Sequence, residues 1–130
     1  MVIDCTSPFD TITASGTNIV SHENHPSTSY TNNLDCQLAF ELAADRKITI
    51  KFTAFDLEDH ADCRYDWVRF WKESISGVEI GTKRCGTTLP ITIQADTNKV
   101  YMQFWTDHSV TPSGFRIQMI GESYSLMIDS

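Results

Sequence analysis

A chain of 130 residues is long enough to bury one core and too short for two. Hydrophobic residues make up 41% and charged residues 21%, the usage of a folded globular protein, and no apolar run is long enough to span a membrane as a helix. With 17 acidic against 10 basic side chains the net charge is -7, which argues against a nucleic-acid binder and suits a partner bearing lysine or arginine, or a divalent cation.

In chain order, the apolar pattern alternates with period two and shows no helical period. Thr11–Ala14 and Cys36–Leu42 are the first strand candidates. In Arg46–Phe55, Ile48, Ile50 and Phe52 share one face, while Thr49, Lys51 and Thr53 share the other. Asp66–Lys72 sets Val68 and Phe70 opposite Trp67, Arg69 and Trp71. Glu79–Gly81 and Ile91–Ala95 are shorter candidates. Lys99–Trp105 aligns Val100, Met102 and Phe104, and Gly114–Ile120 aligns Phe115, Ile117 and Met119. Turn-rich stretches separate these runs, at His25-Pro26-Ser27, Tyr30–Asn33, Ser76-Gly77 and Val110–Gly114. The fold class predicted is all-β, an antiparallel β-sandwich or jelly roll. It is expected to form one domain over 1–130, with its core at about 5–121 and a tail or connector over 122–130.

The four cysteines, Cys5, Cys36, Cys63 and Cys85, lack the close C-x-x-C pairs of a structural zinc site. An even count at wide spacing predicts two disulfides and an oxidising compartment. Three pairings are open; we favour Cys5–Cys36 with Cys63–Cys85, which close sequential loops worth roughly 3 kcal/mol each. Met1-Val2-Ile3 does not look like a secretory leader, so a secreted form is expected to have lost one. The chain has no Asn-x-Ser/Thr sequon.

The most informative residues lie in loops. Phe55-Asp56-Leu57-Glu58 is followed by Cys63-Arg64-Tyr65-Asp66, then Val68 and Phe70, then Cys85-Gly86. Phe104, Thr106-Asp107-His108-Ser109 and Gly114-Phe115 complete the order. This ordered set resembles the CUB domain family, whose pattern runs F-x-L-E, C-x-Y-D, V-x-F/I, C-G, F-x-S/T-D-x-S and G-F. Upstream, Asn24-His25-Pro26 and Tyr30 are similar to the family's S-P-N-Y-P-x-x-Y segment in degraded form, and Thr106 stands where serine is usual. The resemblance covers about Cys5 to Ile120.

The resemblance implies an extracellular module and a function. Its calcium-binding subgroup uses the equivalents of Glu58, Asp66 and Asp107, with a backbone carbonyl near Ser109. Tyr30 resembles the tyrosine that orients the glutamate. Three carboxylates brought to one end of a sandwich repel one another unless a cation neutralises them, and calcium is a hard, oxygen-seeking ion with flexible coordination. In this subgroup the same edge receives a partner's lysine or arginine, which implies Glu58, Asp107 and Ser109 as the docking surface, with His108 beside it. Individual ion pairs at such a rim are weak, so affinity rests on several copies acting together.

Other candidates read as structural. His22-Glu23-Asn24-His25 is one residue short of the zinc-protease motif, and Pro26 disfavours a helix there. His60, like His108, is a loop residue beside the acids. Neither a Gly-x-Ser-x-Gly elbow nor a spare cysteine is present, so no catalytic residue is assigned and no enzyme activity is expected. Trp67, Trp71 and Trp105 fall on the outward phase of their strands, a possible aromatic surface for a glycan or a protein. Two rival functions follow: a lectin-like sandwich using these tryptophans without metal, and a structural or self-associating extracellular domain.

Overall fold

A computed structural model of the chain describes residues 1–3, 5–6, 9–107 and 112–123. Eight strands occur in it: β1 (Thr11–Ile12), β2 (Thr17–Val20), β3 (Asp35–Glu41), β4 (Arg46–Asp56), β5 (Trp67–Lys72), β6 (Ile93–Gln94), β7 (Lys99–Trp105) and β8 (Gly114–Ser123). They form two four-stranded sheets, in the orders β1-β3-β7-β5 and β2-β8-β4-β6. The predicted sandwich is what the chain forms. All strand pairs are antiparallel except β1 with β3, which run parallel at the sheet edge.

The alternating apolar residues meet between the sheets. Leu38, Phe40, Val68, Phe70, Met102 and Phe104 face Ile48, Ile50, Phe52, Phe115, Ile117 and Met119 in one buried cluster. Aromatic rings lock the sheets together edge to face: Phe104 meets Phe115 at 5.0 Å and Phe52 meets Phe70 at 5.9 Å between ring centroids. Such pairs add to the area they remove from water. The disulfides are Cys5–Cys36 and Cys63–Cys85, the favoured pairing.

Strand β4 departs from simple alternation. Phe52 pairs with Ile117 and Ala54 with Arg116, so Thr53 is the extra residue of a β-bulge. One extra residue reverses the phase of everything after it. Phe55 and Leu57 therefore point inward, exposed by only 7% and 1%, although strict alternation from Ile48 would turn them out. Without the bulge, the same phase would drive Glu58 toward the core.

Several boundaries differ from the sequence expectation. Thr17–Val20 carries one core side chain, Ile19, and gives no alternating run, which is why it escapes the pattern. Glu79–Gly81 is no strand; it returns alongside β5 through a single bridge, Trp71 to Glu79. Ile91–Ala95 contracts to Ile93–Gln94, with Ile91 fully in solvent at 85% exposure. Glu122 and Ser123 continue β8 opposite Lys47 and Arg46 rather than starting a tail, and 124–130 lie outside the described residues.

Candidate metal centre

Strand polarity gathers the acids. Trp67 pairs with Trp105 across β5 and β7, so Asp66, just before β5, and Asp107, just after β7, emerge at the same end of one sheet. Strand β4 of the other sheet finishes at that end too, and Glu58 follows it by two residues. One carboxylate oxygen from each of Glu58, Asp66 and Asp107 lies within 4.8 Å of the others. Ser109 and His108, the remaining expected contributors, lie outside the described residues.

Asp66 is the anchor of the group. It is wholly buried, its Oδ1 accepting the Asp107 backbone N–H at 2.9 Å and its Oδ2 accepting the Tyr30 hydroxyl. Burial raises the Asp66 carboxyl above the usual range; the hydrogen bonds from Tyr30 and the Asp107 N–H pull it back, and the Asp107 charge raises it again. Burial and the Asp66 carboxylate likewise push the Tyr30 phenol up, so it remains a proton donor. Its oxygen also accepts the Glu58 backbone N–H at 3.4 Å. Tyr30 thus ties the Asp66 carboxylate to the Glu58 main chain.

Residues to which the sequence assigned no role at the site fix the surrounding loops. Buried Thr106 accepts the Leu34 N–H at 2.8 Å and donates to the Thr31 carbonyl at 3.1 Å, and Asn33 N–H donates to the Asp107 carbonyl at 2.7 Å. Asp56 accepts both the N–H and the hydroxyl of Ser113, at 2.9 and 2.7 Å. Nothing in a single sequence separates such a threonine or aspartate from a solvated one.

The donor set is chemically uniform: three carboxylates, with no thiol or imidazole among the described cluster members. That suits a hard cation such as calcium, and a cation would offset the cost of keeping Asp66 desolvated.

His22 and His60 have partners of their own. His22 hydrogen-bonds Ser21 Oγ and the Thr28 carbonyl, each at 2.7 Å; the carbonyl requires the proton on Nε2, so Nδ1 accepts from the serine. His60 packs edge-on against Tyr65 and accepts the Asp62 N–H.

The aromatic surface expected from strand phase needs correction. Trp67 and Trp71 do point outward, but only 8% and 6% of each is exposed. The Arg69 guanidinium lies 5.4 Å from the Trp67 ring and 4.8 Å from that of Trp71, Lys83 caps Trp67 at 5.1 Å, and Trp105 stacks on Trp67. Long cationic side chains cover these rings, and only Trp105 retains intermediate exposure.

An all-β sandwich with two disulfides and an acidic loop cluster at one end defines a class of disulfide-stapled β-sandwich module. A CUB domain profile matches residues 5–119, and the chain belongs to the CUB domain family. It is 35% identical to human cubilin over 100 residues, which is 77% of this chain and 3% of cubilin. It is 34% identical to blastula protease 10 of Paracentrotus lividus over 113 residues, 87% of this chain and 18% of that protein. The chain thus spans a small part of the relatives it matches, and CUB domains are non-catalytic modules that mediate protein interactions. Among solved structures, the CUB1-EGF-CUB2 domain of human MASP-1/3 superposes at a TM-score of 0.77 with 24% identity, over 92% of this chain and 43% of that one. The MASP-1 CUB2 domain bound to Ca2+ superposes at 0.74 with 24% identity, over 85% and 96%. These two likenesses show the fold. Two disulfides fit an extracellular domain. No helix among the described residues is long and apolar enough to cross a membrane.

Proposed function

We propose that this chain is a secreted, calcium-dependent protein-binding module, one CUB unit over 1–130, that docks lysine or arginine side chains of a partner at its acidic end. The observation that carries this reading is the approach of Glu58, Asp66 and Asp107 oxygens to within 4.8 Å of one another from three separate parts of the chain. A structural neighbour whose title states that it is bound to Ca2+ adds support. Glu58, Asp66 and Asp107 would hold the ion, with a carbonyl at Ser109 as the expected fourth protein ligand. Bound calcium would neutralise the cluster and order the loops. Asp66 is buried, so it serves the ion alone, whereas the half-buried Glu58 and Asp107 have oxygen lone pairs to offer a partner's ammonium or guanidinium.

Calorimetric titration with calcium chloride tests this. Wild type is expected to bind and Asp66→Asn to lose at least about a hundredfold in affinity, near 3 kcal/mol. Retention on an immobilised lysine-rich peptide should require calcium and be released by EDTA. A flat wild-type titration at millimolar calcium would sink the reading.

A further inference from the structure

The loop 59–65 joins two of the three acids directly, with Glu58 before it and Asp66 after it. One short segment from elsewhere in the chain, Arg84-Cys85-Gly86, holds that loop at three points. Leu57 N–H donates to the Gly86 carbonyl at 3.0 Å, one residue before Glu58. Cys85 is bonded to Cys63 within the loop. Val68, two residues after Asp66, exchanges both backbone hydrogen bonds with Arg84, each at 3.0 Å. Gly86 is buried and sits at φ +86°, and a Cβ there would come within 3.1 Å of Asp59 Oδ1, beside Glu58. That backbone conformation favours glycine and strains an alanine.

We propose that Arg84–Gly86 is a clasp that sets the separation of Glu58 and Asp66, with Gly86 as a positioning residue for calcium; this rests on reading those acids as its ligands. Ordering flexible ligands around an ion opposes binding, and a scaffold that has already fixed them lowers that cost. The clasp bonds to the chain at Leu57, Cys63 and Val68. It governs affinity through where the two chain ends lie.

The test is calcium calorimetry on the full chain, paired with thermal melting in EDTA. Gly86→Ala is expected to weaken calcium binding about tenfold, as loss of a supporting partner does at metal sites, while remaining folded in EDTA. Gly86→Asn should recover part of the loss, because asparagine tolerates positive φ better than alanine. Should Gly86→Ala not fold, the paired Cys63→Ala and Cys85→Ala variant opens the clasp at its middle point, and the same drop is expected. Wild-type affinity in a folded Gly86→Ala protein, or in the folded cysteine pair, would overturn the clasp while leaving the calcium reading intact. A wild type that takes up no calcium overturns both.

Discussion

The acidic loop end and the outer face of β5 and β7 both concentrate charge, and they handle it in opposite ways. On the sheet face Arg69 meets Glu79 through two hydrogen bonds, at 3.0 and 2.7 Å, and lies over Trp67 and Trp71. Arg69, Glu79 and Lys83 there each have a neighbour of the other sign or a π-face. At the loop end three carboxylates converge, and Asp66 accepts hydrogen bonds from a phenol and a backbone N–H, which solvate it without adding positive charge. Charge that the protein compensates itself builds structure. In the proposed reading, the converging charge at the loop end is what a bound cation would compensate.

This contrast can be broken experimentally. The largest expected effect on stability belongs to the sheet face: Trp71→Ala should cost about 3 kcal/mol in chemical denaturation in EDTA. Its calcium affinity should stay at the wild-type value, because Trp71 lies at the far end of β5 from Asp66. A matching loss of calcium binding would mean that the two regions are one unit. Tyr30→Phe should do the reverse, removing about 1 kcal/mol of stability and lowering calcium affinity about tenfold, read by melting and calorimetry.

The smallest effect concerns pH. The hydrogen bond from Arg69 holds the Glu79 carboxyl below the usual carboxylate range. A depressed folded pKa contributes stability that is fully present above the unfolded value, about 4.3, and is lost as pH falls through the folded value. Comparing Glu79→Gln with wild type in EDTA should therefore reveal a difference below about 1 kcal/mol at pH 7. It should vanish in acid. A difference that persisted at low pH would show that the pair acts through packing instead of charge.

The fold was legible in the sequence wherever alternation ran undisturbed. Lys99–Trp105 matches β7 to the residue, because every second side chain faces one apolar layer. Alternation reports direction, however, and not what covers a side chain. Trp67 and Trp71 have the outward phase of surface residues, yet Arg69 and the segment returning through Glu79 bury them. The bulge at Thr53 was invisible, since an inserted residue looks like any other until its partner strand is known. For the acidic end, Glu58, Asp66 and Asp107 are too far apart in sequence for spacing alone to unite them, and the ordered CUB pattern supplied the link. Its details were not readable: Tyr30 bonds Asp66 because of where the loop before β3 crosses, which no local signal encodes.

The same bulge matters for how the module meets other chains. Strand β6 covers β4 only at Thr49 and Ile50, and beyond them no strand runs alongside β4 on that side among the described residues. An exposed sheet margin of this kind is a template onto which a foreign strand can add, and crowding many sandwiches together would multiply the opportunity. Lys51 puts a charge at the start of the bare stretch, and the kink at Thr53 twists the backbone out of the flat line that an incoming strand requires. One inserted residue thus turns Glu58 away from the core and makes the sheet border a poor seed for aggregation.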